Sequence, residues 1–336
     1  MISIPEQPKI LESYHACMLC PRRCGVDRFV RTGVCGANDT LRVGRAALHW
    51  WEEPCLVGDR GSGAVFFAHC ALGCVYCQNK RLAEGEGVEI TQERLCEILL
   101  ELQNEQRAAN VNLVTASHYA PSVAEMLREL RASGALHIPV VWNTSGYESA
   151  QTLALLEGLV DIYLVDFKYS NPVTAQRLSH ASDYVEVALA AIEQMIAQTG
   201  VPRLGEEGYL ERGVIVRHLV LPGYVDDSLA ALDLLYPRIR GRALLSIMNQ
   251  FTIVDEALDV RAYGLERANA CSIMLMNLGS KTTSGRKAGQ RARVSCQLSM
   301  GQVWSCLDRA RRKMRRLLVH KRIRGALLPQ AHIEGK

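Results

Sequence analysis

From residue 62 onward, six short apolar runs alternate with longer helical patterns, and nothing else in the sequence constrains the fold so strongly. The runs cover 64–68, 111–115, 138–143, 160–166, 214–220 and 243–249. They lack the period-2 alternation of a half-exposed strand, so they read as strands covered on both faces. Helical patterns lie between them at 91–108, 121–133, 148–157, 183–199 and 226–239. Thr91 stands where the first helix needs an N-cap, with Glu93 in its opening turn, and Ser182 or Asp183 can cap the fourth. Such alternation predicts an α/β fold with a parallel sheet and right-handed crossovers. Six strands suit a partial (β/α)6 TIM-like barrel better than a small doubly wound domain. In such folds chemistry gathers at the C-terminal ends of the strands. Residues that follow the strands are therefore the candidates.

The chain is 48% apolar and 22% charged, enough to build a sizeable core. No apolar run approaches the ~18–20 residues of a membrane helix. The first residues lack the basic and apolar segments of a signal peptide, so the expected compartment is cytoplasmic and no membrane partner is expected. Of twelve cysteines, seven fall into two tight groups. Disulfides are not expected in a reducing compartment, and clustered thiols there read as metal ligands. Cys55, Cys96, Cys271, Cys296 and Cys306 read as ordinary thiols.

Directly after the first strand, HCALGCVYCQN spaces Cys70, Cys74 and Cys77 as C-x3-C-x2-C. Three thiolates in so short a loop can wrap one face of a [4Fe–4S] cubane, each on its own iron, leaving the fourth iron open to a small molecule. A structural zinc site closes with four ligands, so the same loop is an incomplete zinc site. His69 is the nearest candidate fourth ligand, but its adjacency to Cys70 makes simultaneous binding awkward. Iron–sulfur is the favoured reading. Upstream, Cys17, Cys20, Cys24 and Cys35 follow C-x2-C-x3-C-x10-C, with Pro21, Gly25, Gly33 and Gly36 supplying turns. This second group can close a tetrahedral zinc site or hold a second cluster.

The Cys70–Cys74–Cys77 loop after the first barrel strand resembles that of the radical S-adenosylmethionine (SAM) superfamily. The stretches EEPCLVGDRGSGAVFF, VNLVTASHYAPS, VVWNTSGYES, VDIYLVDFKYS and VIVRHLVLPGYVDDS further resemble the branch grouped with pyruvate formate-lyase activating enzyme. The likeness runs from about residue 15 to about 252. It implies a partial barrel of the radical SAM type whose open iron chelates SAM. An electron from the reduced cluster would then give a 5′-deoxyadenosyl radical. The resemblance implies that Tyr76, before the last cysteine, packs near the SAM adenine. It also implies an electron donor such as flavodoxin or ferredoxin, and a glycyl-radical enzyme as protein substrate. Radical modification of another protein, a nucleic acid or a metabolite is the alternative. A non-catalytic iron–sulfur electron carrier or redox sensor is the rival from a different class.

Further candidates follow the later strands. Where many radical SAM enzymes have a Gly-Gly-Glu-like turn, this chain has Thr115, Ser117 and His118, candidate SAM or substrate contacts. Asn143 closes the third strand. Asp166 and Lys168, two apart on a strand, point the same way and suit a zwitterionic ligand. Glycyl-radical activating enzymes have a similar Asp-x-Lys, whose Lys is implied to reach the SAM carboxylate. Arg217 is a better anion contact than its neighbour His218. Gln250 is a candidate contact at the end of the sixth strand.

Charge divides the chain. Residues 1–280 carry 24 Lys and Arg against 33 Asp and Glu, whereas 281–336 carry 15 against 2. The expected organisation is a cysteine-rich metal or iron–sulfur module over 1–61, the barrel over 62–252 and a divergent basic tail over 253–336. The tail reads as the product of a changed reading frame, as a basic arm, or as a solvated helix. Its last 56 residues hold only Trp304 as an aromatic, leaving little capacity to stack on bases, so nucleic acid is not an expected partner.

Overall fold

The computed structural model of the chain describes residues 10–248 and a strand at 273–277, all within one unit, Met1–Ser295. Gln250, Cys271, Cys296, Cys306 and nearly all of the basic tail lie outside the described residues. A 3-10 turn at Ile10–Tyr14 leads into the cysteine module. Then come β1 (Arg42–His49), α1 (Pro54–Val57), β2 (Ser62–Phe67), α2 (Lys80–Ala83), β3 (Val88–Glu89) and α3 (Gln92–Asn104). They are followed by β4 (Val111–Val114), α4 (Ala120–Ala132), β5 (Val140–Thr144), α5 (Ala150–Leu156), β6 (Ile162–Asp166), α6 (Pro172–Ser179) and α7 (Tyr184–Thr199). The last elements are β7 (Arg203–Leu204), β8 (Leu210–Leu219), α8 (Val225–Ile239), β9 (Leu244–Met248) and β10 (Ile273–Asn277).

The six predicted strands are β2, β4, β5, β6, β8 and β9, and they pair in parallel in that order. The five predicted helices are α3, α4, α5, α7 and α8. The sheet does not close. Antiparallel β1 flanks β2, and β10 flanks β9, so the strands form a partial barrel. Sequence reading missed β1, which lies inside the first 61 residues yet is hydrogen-bonded to β2 along its length. Its outer residues are exposed and its register shifts between Val43 and Arg45, so it shows no clean pattern. Thr91 caps α3, its hydroxyl accepting from the Arg94 amide at 3.2 Å. Asp183 stands at the N-cap of α7 but makes no capping bond, accepting instead from Tyr147 Oη at 2.7 Å.

Strand alternation builds the barrel interior in two layers. Val141, Ile162, Leu164, Ile215 and Leu244 point inward and join Leu210 in one apolar cluster. Leu56 of α1 completes that cluster, so the segment between β1 and β2 plugs the lower end of the barrel. Two residues further along the same strands, the same face presents Asn143, Asp166, Arg217 and Ser246. The registers Asp166↔Arg217 and Arg217↔Ser246 set three of these side by side. Apolar below and polar above, the interior directs its chemistry to the C-terminal end. Among the described residues no helix is long and apolar enough to cross a membrane.

Candidate active site

The cysteine loop leaves β2 through His69, a residue with φ of +73°. A non-glycine residue there stores local strain, and such strain persists only where its surroundings impose it. Here they do. The His69 amide donates to Leu82 O at 2.7 Å, and its ring sits in a slot floored by two glycines. A Cβ at Gly36 would come within 2.8 Å of His69 Nδ1, and one at Gly85 within 2.6 Å of His69 Cε1. The slot fixes the direction in which the loop departs.

Cys70, Cys74 and Cys77 are half-buried free thiols. Burial, helped by Cys74 and Cys70, pushes the Cys77 thiol up to about 12. Burial also raises Cys74, against the pull of Lys168. Cys74 and Cys77 therefore hold their protons until a metal compensates the charge. Donors nevertheless stand ready for the thiolates. The Leu72 amide donates to Cys70 Sγ at 3.4 Å, Ser179 Oγ donates to Cys74 Sγ at 3.0 Å, and the Asn79 amide faces Cys77. Among the described residues, no three His, Cys, Asp or Glu groups converge on one point as a single ion would require. A cubane makes no such demand, because each thiolate binds a different iron. Three soft donors in one loop, with amide and hydroxyl groups aimed at sulfur, fit an iron–sulfur cluster.

In the N-terminal group, the Cys17 sulfur is within hydrogen-bonding reach of Cys24, and Cys20 and Cys35 feel the charges of the others. The four thiols share one neighbourhood, but no three of them converge on one point as a single zinc ion would require. The amides of Arg22, Val26 and Ala37 face the sulfurs of Cys20, Cys24 and Cys35, each two residues on. Burial lifts Cys20 to about 12, whereas for Cys24 the amides of Val26 and Val34 outweigh burial and lower it.

Two arginines of this module reach into the barrel, and neither was singled out in the sequence. Arg22 donates to the carbonyls of Ala71 at 3.0 Å, Leu72 at 3.3 Å and Ser179 at 3.1 Å, and also to His180 O. It therefore joins the cysteine loop to the C-terminus of α6, where free carbonyls favour a cation. Arg28, buried against the rings of Tyr14 and Tyr119, donates to His118 O and Asn38 O. Their only sequence signal is a pair of long cations inside a cysteine-rich turn.

The polar layer of the barrel is a single charged network. Arg217 donates to Asp166 at 2.8 Å, Glu52 at 3.1 Å and Asn143 at 2.7 Å. Lys168 Nζ donates to the other Asp166 oxygen at 2.6 Å. Glu52, carried in by the plug segment, also accepts from Asn143 at 3.2 Å and Asn112 at 3.4 Å. Burial works against the Asp166 charge, but Arg217 and Lys168 outweigh it and hold its carboxyl below the usual range. Burial likewise works against the Lys168 charge, and Asp166 and Cys74 outweigh it. Tyr169, next to Lys168, meets Tyr76 of the cysteine loop with the two hydroxyls 2.7 Å apart, which brings the end of β6 beside that loop. Next to Glu52, burial lifts Glu53 to about 7 despite Arg217. Its Oε2, Asn112 Oδ1 and Ser246 Oγ are buried without hydrogen-bond partners. Glu52 and Glu53 were missed because two acids before a proline read as an ordinary exposed turn.

The turn after β4 is strained at its start. Thr115 has φ of +61°, an outlier for a β-branched residue, and its amide donates to Asn143 O at 2.8 Å. Ser117 donates to Glu148 Oε1, which also accepts from Thr144 at 2.5 Å and Trp142 at 3.2 Å. His118 is buried, donates from Nε2 to Ala68 O at 2.8 Å, and is lowered to about 3 by burial and Arg28. It is neutral at physiological pH. Thus Asn143, Asp166, Lys168 and Arg217 share one network, Thr115 adjoins it through the Asn143 carbonyl, and the side chains of Ser117 and His118 turn to structural partners. Tyr76 is buried, with its hydroxyl 2.7 Å from Tyr169 Oη.

An open, mostly parallel α/β barrel with a three-thiol loop after its first parallel strand and a charged polar layer beside it defines an iron–sulfur barrel protein. Residues 65–235 match the radical SAM superfamily, and the chain belongs to it. That membership implies a [4Fe–4S] cluster and SAM, which the thiol set described above fits. Among curated proteins the chain is similar to uncharacterized protein MJ0674 of Methanocaldococcus jannaschii, at 28% identity over 243 residues. The alignment covers 70% of this chain and 65% of that protein, so the chain spans just under two thirds of its relative.

Proposed function

We propose that Cys70, Cys74 and Cys77 hold a [4Fe–4S] cluster at which this enzyme reductively cleaves SAM. The observation that carries the reading is the juxtaposition of that loop with the Asp166–Lys168–Arg217 network, through the Tyr76–Tyr169 contact one residue beyond Lys168. Bound there, the cluster supplies the electron that breaks the sulfonium bond. Lys168, held charged by Asp166, offers an ammonium to the SAM carboxylate. Arg217 and Glu52 are occupied with one another and with Asp166 and Asn143, so they orient the layer rather than gripping an anion. Thr115 stands at the rim of the same layer, available to ligand polar groups, whereas both amide atoms of Asn143 are taken by Glu52 and Arg217. Tyr76 presents its ring beside the last cysteine as a surface for the adenine. An electron carrier has no use for a zwitterion-matched layer at its cluster, which favours the enzyme reading.

The finer reading concerns substrate and partners. The Asp166-x-Lys168 pair and its flanking blocks support activation of a glycyl-radical enzyme, with flavodoxin or ferredoxin as electron donor. The four N-terminal thiols hold a second metal centre, zinc or iron–sulfur, that stiffens the module carrying Arg22 and Arg28. Cytoplasmic placement belongs to the same reading.

The deciding experiment is anaerobic incubation of reconstituted, dithionite-reduced protein with SAM, followed by assay for 5′-deoxyadenosine. Sustained formation is expected, and none from a protein with a full [4Fe–4S] complement defeats the proposal. Lys168→Met keeps the stem and removes the charge. Losing one charge-assisted contact worth roughly 1.5–3 kcal/mol should weaken SAM affinity on the order of ten- to a hundredfold. Asp166 keeps Arg217, so cluster content should persist. Equal affinity would reduce Lys168 to an ion-pair residue. Replacing Cys17, Cys20, Cys24 and Cys35 together with serine should remove one metal centre per chain while the spectrum of the Cys70–Cys74–Cys77 cluster remains. Metal analysis showing no loss would mean that the group is not a site.

A further inference from the structure

Behind Cys74 runs a chain of three hydroxyl groups, from Ser179, Tyr169 and Tyr76. Ser179, the last residue of α6, donates from Oγ to Cys74 Sγ at 3.0 Å. Its oxygen lies 2.5 Å from Tyr169 Oη, and Tyr169 Oη lies 2.7 Å from Tyr76 Oη. Each hydroxyl has a single proton, so the first bond orders the others. With the Ser179 proton committed to sulfur, Tyr169 must donate to Ser179, and Tyr76 must then donate to Tyr169. All three residues are buried, and a phenol with its ordinary pKa of about 10 carries its proton at neutral pH. The relay points one way, toward the sulfur.

Its position is enforced. The Val75 amide of the cysteine loop donates to Leu178 O at 2.9 Å, and Arg22 binds the Ser179 carbonyl together with those of Ala71 and Leu72. Ser179 and Cys74 are thus tied by one backbone hydrogen bond and by the Arg22 side-chain bridge, besides the hydroxyl itself. That is more anchoring than helix packing alone would need.

We infer that Ser179, polarised by Tyr169 and Tyr76, is a positioning residue that raises the reduction potential of the cluster held at Cys70, Cys74 and Cys77. The inference rests on the reading of that loop as a [4Fe–4S] site. Reduction places added negative charge on cluster and thiolate sulfur. A donor aimed at that sulfur therefore stabilises the reduced state more than the oxidised one. Donors in a buried chain polarise one another, so Tyr169 strengthens the Ser179 bond. The phenols act through Ser179 and touch no thiolate of their own in this relay.

The test is an EPR-monitored redox titration of the reconstituted full chain, with iron and sulfide measured on the same samples. Ser179→Ala should shift the midpoint to more negative potential by roughly a tenfold change in the reduction equilibrium, about 59 mV for one electron. Tyr169→Phe keeps the ring and every residue around the cluster while removing the donor. It should shift the midpoint the same way by a smaller amount. Ser179→Thr retains the hydroxyl and should restore the wild-type value. A Ser179→Ala midpoint equal to wild type at equal iron content overturns the inference. If Ser179→Ala does not retain its cluster, Tyr169→Phe decides: an unchanged or more positive midpoint overturns it. A wild-type chain that assembles no [4Fe–4S] signal overturns the proposed function and, with it, this inference.

Discussion

Alanine at any one of Cys70, Cys74 or Cys77 should bring 5′-deoxyadenosine formation down to background, with matching loss of cluster iron, while the far-ultraviolet circular dichroism stays that of the parent. Each thiolate is expected to hold a different iron, so no neighbour can substitute for the one removed. Losing only an outer hydrogen-bond partner of a metal ligand typically costs about 10–100-fold. Losing a ligand from a three-thiol set should cost more. The fold should survive because the three thiols are half-buried and stand outside the apolar cluster that closes the barrel. Cys96→Ser on α3 is the control, half-buried and on a different element, and should keep full iron and activity. A loop variant that still cleaves SAM at the parental rate would remove that cysteine from the site.

Replacing Arg217 with Met should be the most destabilising single change in the polar layer. The guanidinium binds Asp166, Glu52 and Asn143 at once, and its side chain is 15% exposed. Removing one partner from a buried ion pair typically costs about 3–5 kcal/mol, because the remaining charge stays desolvated. Asp166 would keep Lys168, but Glu52 would be left with two amides and no cation. Arg217→Lys restores charge without the three-way fork and should recover only part of the loss. Denaturant unfolding of the metal-free chain reads this directly. A loss below about 1 kcal/mol for the Met variant would mean that water enters the layer and screens it.

Both expectations concern residues whose chemistry was visible in the sequence, but for different reasons. The cysteine loop is legible because its ligands lie within eight positions, and local spacing alone brings them together. Asp166 and Lys168 are legible because a strand turns every second residue the same way. The six parallel strands and the five helices between them were legible because each buries a continuous apolar stripe. β1 escaped notice because Val43 alone of its eight residues is buried, so it carries no such stripe.

What lay beyond reach were contacts between distant positions. Arg217 meets Glu52 across 165 residues, Arg22 meets Ser179 across 157, and Ser179 meets Cys74 across 105. The family likeness did not supply them either, since matching blocks name residues without saying which ones touch. Gln250 and the basic tail stay as sequence expectations, since both lie outside the described residues.

By itself, then, the sequence determined the alternation of strands and helices, the three-thiol loop at the end of the first parallel strand, and membership of the radical SAM superfamily. Each of these depends on spacing within one element or one turn. Tertiary structure alone decided that Glu52 enters from the plug to face Arg217, that Arg22 clamps the cysteine loop to α6, and that Ser179 stands against Cys74. Those pairings depend on sheet register and on where each crossover returns the chain. Register and crossover are settled by the packing of the whole barrel, so no single segment encodes them.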